Sequence, residues 1–213
     1  MKTKSLFLIV LLCASCSKHK MASGKNGMVV STSAQASQVG IDILKHGGNA
    51  VDAAAAVGFT LAVTSSSNGN LGGGGFMVGK MASGKTFTLD YREMAPKSAY
   101  KDLFLDSSKN VIESKSTRTH YASGVPGSVD GLLRAWRDHG SGNISIQQLL
   151  GPAISYAKNG FKLSHYEAQR FNNRKSFLSQ HPETKKIFTI DDRKWKRGDY
   201  FYQKDLAATL ERI

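Results

Sequence analysis

Residues Asn68 to Pro96 read N-G-N-L-G-G-G-G-F-M-V-G-K-M-A-S-G-K-T-F-T-L-D-Y-R-E-M-A-P. Four consecutive glycines, Gly72 to Gly75, open into an apolar run from Phe76 to Val78. A turn around Ser83-Gly84 follows. Thr86 to Leu89 then alternate polar and apolar residues, as a half-buried strand does. The pattern predicts a β-hairpin that ends at Tyr91-Arg92-Glu93, with Pro96 closing it. Glycines without side chains serve where backbone passes close to backbone or to a ligand. An arginine at a strand end can grip a carboxylate through its planar fork.

Upstream, Met28 to Thr32 is short and β-branched and reads as a first strand. Ala34 to His46 carries Val39, Ile43 and Leu44 at helical spacing, with Gly47-Gly48 as its stop. Asn49 is placed to cap a second helix, with Asp52 near its positive end. Ala50 to Val63 is alanine-rich and apolar on nearly all sides, which predicts a buried core helix. Downstream, Ala99 to Ser116 reads as a surface excursion with turn clusters at 106–108 and 113–116. Val129 to His139 is an amphipathic helix with Leu132, Leu133 and Trp136 inward. A further helix runs from Ile144 to about Asn159 with Pro152 inside it, and Gly160 ends it. Gln203 to Ile213 opens a helix whose apolar face is expected to lack its partner, which suggests a piece of a larger protein.

The chain has 213 residues, 40% of them hydrophobic, and a formal net charge of +13. Met1 to Lys4 is basic, Leu6 to Ala14 is apolar, and Ser15-Cys16 follows. That order reads as an export leader over 1–15, too short to span a bilayer. Cys16 stands where a bacterial lipoprotein carries its lipidated cysteine. Three residues before it is Cys13, where such motifs usually have Leu. The segment 16–26 reads as a polar tether, and 27–213 as the folded domain. Cys13 and Cys16 are the two cysteines, and both fall in the leader region, so no disulfide is expected within the domain. His120, His139, His165 and His181 lack ligand spacing, so no metal is expected. Residues 158–204 hold twelve Lys or Arg against five Asp or Glu. Trp195 and Phe188 interleave with these charges, a pattern also found in nucleic-acid binders. Export argues against nucleic acid, and a solvated basic face or attraction to an anionic membrane is the reading preferred.

Four motifs occur in order: Gly40 to Gly58 (G-I-D-I-L-K-H-G-G-N-A-V-D-A-A-A-A-V-G), Asn70 to Met77, Asp90 to Pro96, and Ala122 to Gly127 (A-S-G-V-P-G). Together they resemble the N-terminal, large-subunit portion of a γ-glutamyltranspeptidase (glutathione hydrolase). The resemblance implies an α+β, N-terminal-nucleophile hydrolase fold, an α-β-β-α four-layer sandwich, here incomplete. It implies a precursor that cleaves itself to expose a nucleophilic Thr in a small subunit. That Thr attacks γ-glutamyl amides such as glutathione, and the γ-glutamyl group passes to water or to an amino-acid or peptide acceptor. No cofactor is needed.

The family's arginine for the glutamyl α-carboxylate matches Arg92. Asp90 and Glu93 are expected to orient it from behind, and an ion pair with either is the competing structural role for Arg92. The glycine run is expected to be packing backbone. Thr119, in T-R-T-H-Y, imitates the family's cleavage site but lies too early in the chain, so no catalytic residue is expected here. Two other readings use the same scaffold: a non-catalytic lipoprotein that binds amino acids or peptides, and an acylase acting on other amides. The expected location is periplasmic, with a possible membrane anchor through Cys16.

Overall fold

The computed structural model describes residues 22–213. The expected leader, Cys16 and the first part of the tether lie outside the described residues. Helix α1 (Ala34–Lys45) starts where Ser33, in extended backbone, accepts the Ala36 amide on its hydroxyl. It stops in a Schellman turn: Gly47 takes φ 88°, its amide donates to Leu44 O, and the Gly48 amide donates to Ile43 O. Helix α2 (Ala50–Thr64) follows at once. Asn49 Oδ1 accepts the amides of Val51 and Asp52, while Asp52 Oδ2 accepts the Asn49 amide at 2.8 Å. This reciprocal cap satisfies donors that a helix start leaves orphaned.

Helix α2 is the centre of the core. Ala55, Ala56, Phe59 and Val63 are fully buried. Small residues set its neighbours close. A Cβ on Gly40 of α1 would meet Val57 at 2.8 Å, and one on Gly58 would meet Leu132, far along the chain, at 2.8 Å. The segment 28–32 is not a strand. Val29 packs on Gly40, Met28 and Val30 are exposed, and no partner strand lies beside it among the described residues. A β-branched run specifies extended backbone but not the neighbour that makes it a ladder.

The hairpin forms as expected. Strand β1 (Phe76–Lys80) pairs antiparallel with β2 (Thr86–Asp90), Phe76 opposite Asp90 and Lys80 opposite Thr86. Gly84 supplies the positive φ of its turn. Phe87 stacks on His139 at 3.8 Å between centroids. The end of the surface excursion runs into a one-turn helix α3 (Lys115–Arg118), and a 3-10 turn (His120–Ala122) follows. Helix α4 (Ser128–His139) follows, then α5 (Ile146–Asn159), capped by a second reciprocal box between Ser145 and Gln148. Pro152 sits inside α5, and Gly160 ends it at φ 77°.

Beyond α5 come β3 (Phe161–Lys162), α6 (His165–Asn173), α7 (Lys175–Leu178), α8 (Pro182–Phe188), β4 (Tyr200–Phe201) and α9 (Lys204–Leu210). Strands β3 and β4 pair antiparallel. Phe161, Phe171, Phe188, Trp195 and Phe201 form one aromatic cluster around Phe201. The apolar face of α9 has a partner: α9 packs on α5, and Ala207 and Leu210 are buried. The architecture is α+β, as expected. The described residues form a helical layer with two two-stranded sheets, and the four-layer sandwich is not completed within them. No helix among them is long and apolar enough to cross a membrane.

Candidate substrate-binding site

Three of the four sequence motifs meet at the base of the hairpin. Gly75 and Tyr91 exchange two backbone hydrogen bonds and extend the β1–β2 ladder by one pair. Gly73 O accepts the amides of Gly127 and Ser128 at 2.8 and 3.0 Å. It thereby satisfies the start of α4, whose N-cap residue Gly127 has no side chain to do so. Met94 and Val125 form a β-bridge that holds the chain beyond Arg92 against the A-S-G-V-P-G turn. Asn70 Oδ1 accepts the Ser128 hydroxyl at 3.0 Å.

Within the glycine run Gly74 is close-packed against backbone, as expected of the run, whereas Gly72 has open space around it. A Cβ on Gly74 would stand 2.5 Å from Tyr91 O and 2.6 Å from the Glu93 amide nitrogen. One on Gly127 would stand 2.1 Å from Tyr91 O, and one on Gly131 would meet the Tyr91 ring at 2.1 Å. Tyr91 is thus wedged between the hairpin and α4, and its burial pushes the phenol pKa up.

Arg92 is held by its backbone and open at its head. Its amide donates to Asp90 Oδ1 at 3.0 Å. Nε lies 3.9 Å from Glu93 Oε2, and the guanidinium carbon sits 5.8 Å from the centre of the Phe76 ring. The side chain is 63% exposed, and among the described residues the guanidinium makes no hydrogen bond. An exposed pair at that distance contributes little. The competing role for Arg92 is therefore present in weak form: Glu93 is a loose partner, while Asp90 grips the backbone and leaves the guanidinium free. Donors so disposed can take a carboxylate in the bidentate manner.

Thr119 is exposed between α3 and the 3-10 turn, and its hydroxyl donates to Lys115 O at 2.6 Å. The four histidines singled out by sequence do not gather, and no group of three or more His, Cys, Asp or Glu side chains suited to a metal occurs among the described residues. A cavity of about 540 Å³, which no motif foretold, opens between the start of α1 and helices α6 and α7. Ser33, Thr64, Arg170, Arg174 and Phe177 line it, and Arg92 does not. It joins segments more than a hundred residues apart, so local patterning carries no signal for it.

A family model described as gamma-glutamyltranspeptidase matches residues 36–213. The chain is 45% identical over 190 residues to the glutathione hydrolase proenzyme of Escherichia coli K12, covering 89% of this chain and 32% of that protein. The crystal structure of Helicobacter pylori gamma-glutamyltranspeptidase superposes with a TM-score of 0.85 at 39% identity, covering 91% of this chain and 55% of that one. The Pseudomonas nitroreducens gamma-glutamyltranspeptidase, complexed with L-DON, gives 0.79 at 41% identity, covering 90% and 55%. The chain spans about a third of the length of the curated relatives it matches.

Proposed function

This chain belongs to the γ-glutamyltranspeptidase family, and from that membership we propose that the whole protein is a γ-glutamyltransferase and glutathione hydrolase. Within it, residues 27–213 serve as the N-terminal part of the large subunit. Arg92 binds the α-carboxylate of the γ-glutamyl group, with Asp90 fixing its backbone and Glu93 steering the guanidinium. The nucleophilic threonine comes from the small subunit, outside these 213 residues. Its own α-amine takes the hydroxyl proton as the oxygen attacks the γ-amide carbonyl. The amine of the departing product leaves, and water or an amino-acid or peptide acceptor then cleaves the γ-glutamyl ester. Anchoring the far end of the substrate holds the γ-carbonyl within reach of the nucleophile, which is where positioning lowers the barrier.

The observation that carries this reading is the geometry of Arg92: a backbone clamped by Asp90 and Gly74, and a guanidinium without a hydrogen-bonded partner among the described residues. The test is Arg92→Ala in the full-length protein. A rise of roughly a hundredfold in KM for a γ-glutamyl substrate is expected, with self-cleavage preserved, since a charge-assisted bidentate contact is lost. An unchanged KM would sink the assignment.

The leader over 1–15 and Cys16 support export to the periplasm with a lipid anchor on Cys16. Metabolic labelling with radioactive palmitate tests the anchor: label is expected on the parent protein and absent from the Cys16→Ser protein, and an unlabelled parent would refute it.

A further inference from the structure

Six basic residues fall between positions 185 and 199, against Asp191, Asp192 and Asp199. The acids are spent unevenly. Asp191 pairs with Lys185 at 3.0 Å and Asp199 pairs with Arg193. Lys186, Lys194, Lys196 and Arg197 are exposed, and none of them forms an ion pair with another described residue. Three of these four cations sit on one short turn, which is not a loose loop. Asp199 also accepts the Lys196 amide at 2.9 Å, Gly198 takes φ 89°, and its amide donates to Leu163 O. The turn is thereby pinned to the β3–β4 pair.

That pair adds to the same surface. Lys162 stands opposite Tyr200, with its Nζ 5.8 Å from the ring centre. Tyr200 and Tyr202, two apart along extended chain, stack at 6.1 Å, and each is about half exposed. Cations on a fixed turn beside amphipathic tyrosines are the composition of an interfacial surface, in which Lys and Arg meet headgroup phosphates and phenol rings lie at the water boundary. Trp195, the ring that interleaves with the cations in sequence, is partly buried. Its indole N–H donates to Phe188 O at 2.8 Å and its ring packs edge-on with Phe171 and Phe201, so it belongs to the aromatic cluster.

We propose that the turn Arg193–Asp199, with Lys162, Tyr200 and Tyr202, is a docking surface for an anionic phospholipid membrane. It holds the domain against the bilayer independently of the acyl chain on Cys16. The proposal relies on the export reading only for where the protein meets such a surface, and the binding itself is measured in isolation.

The test is flotation of the mature full-length protein, leader removed and unacylated, with vesicles of phosphatidylcholine containing roughly a third phosphatidylglycerol, at about 50 mM salt. Binding is expected to these vesicles and not to phosphatidylcholine alone. The triple variant Lys194→Gln, Lys196→Gln, Arg197→Gln should lose about a hundredfold in affinity, at roughly a factor of five per basic residue. A variant with Lys80, Lys85 and Lys101 changed to Gln carries the same net charge and should bind as the parent does. Lys194→Arg with Lys196→Arg should also bind, and circular dichroism checks that each variant is folded. Absence of preference for phosphatidylglycerol, or equal losses in the two triple variants, would overturn the proposal. So would tighter, turn-dependent binding to duplex DNA, which would assign the surface to nucleic acid.

Discussion

Gly74 lies so close to Arg92 that a Cβ added to it would stand 2.7 Å from the arginine Cα. The other two nearest atoms, Tyr91 O and the Glu93 amide nitrogen, are also backbone, so no flexible side chain can move aside. Gly74→Ala must therefore shift the end of β2 and the residue proposed to bind substrate. The expected cost is about 1–3 kcal/mol in stability, as for other overpacked sites, together with a higher KM for γ-glutamyl substrates. Gly72→Ala is the matched control: a Cβ there has nothing within 4 Å. Thermal unfolding and KM should distinguish the two in the full-length protein, and equal behaviour would refute the close-packing role of Gly74.

A second prediction concerns the junction between α2 and α4. Asp52 is fully buried, and its Oδ2 accepts the amides of Asn49 at 2.8 Å and Ser141 at 2.9 Å. Asn49 Nδ2 donates in return to His139 O at 2.8 Å. Asp52→Ala leaves two backbone donors without an acceptor and opens a gap, at an expected cost of about 3 kcal/mol or more. Asp52→Asn keeps one oxygen in place for both amides and should cost less than half as much. Denaturant midpoints of the two variants check this. If Asn is as damaging as Ala, the acceptor role is wrong.

How much of this was legible in sequence follows from the range of the interactions. The cap at Asn49–Asp52, the Gly47 stop and the β1–β2 hairpin are settled within a few residues, and each stands where the pattern puts it. The segment 28–32 failed as a strand because its conformation depends on a neighbour that patterning does not see. The apolar face of α9 was expected to be bare, yet α5 covers it, a contact across some fifty residues. At the site, the type and position of Arg92 could be read directly. That Asp90 would hold the arginine's amide and leave the guanidinium free could not, because side-chain direction at a strand end is set by the surrounding packing.

The basic turn should respond to acid through one carboxylate. The side-chain hydrogen bond from Arg193, and then the Lys196 amide, hold the Asp199 carboxyl below its ordinary value of 3.8. A depressed folded pKa means that the stabilisation is complete above the unfolded carboxylate range and is lost as pH falls through the folded value. Amide exchange at Lys196, corrected for its intrinsic pH dependence, should stay protected from neutral pH to about 5 and lose protection in stronger acid. In the Asp199→Asn protein the protection should be weaker at neutral pH and should lack the acid transition. Protection that persists unchanged in that variant would remove Asp199 from its role in fixing the turn.

The three charged residues at the end of β2 should differ in rank, because each is engaged differently. Arg92→Lys keeps the charge and loses the planar fork, so it should raise the KM for γ-glutamyl substrates about tenfold or more. Asp90→Ala removes the acceptor for the Arg92 amide and leaves the guanidinium chemically intact. It should raise KM less, roughly threefold to tenfold, as a positioning loss of about one kcal/mol does. Asp90→Asn retains an acceptor oxygen and should restore most of that loss. Glu93→Gln breaks a pair that is 3.9 Å apart and exposed on both sides, so its effect should stay within about twofold. KM and kcat measured separately on the full-length enzyme decide among these. A Glu93→Gln effect as large as that of Arg92→Lys would mean that the Glu93 carboxylate contacts the substrate itself, for instance by accepting from the substrate's α-ammonium group, and does not merely steer the arginine.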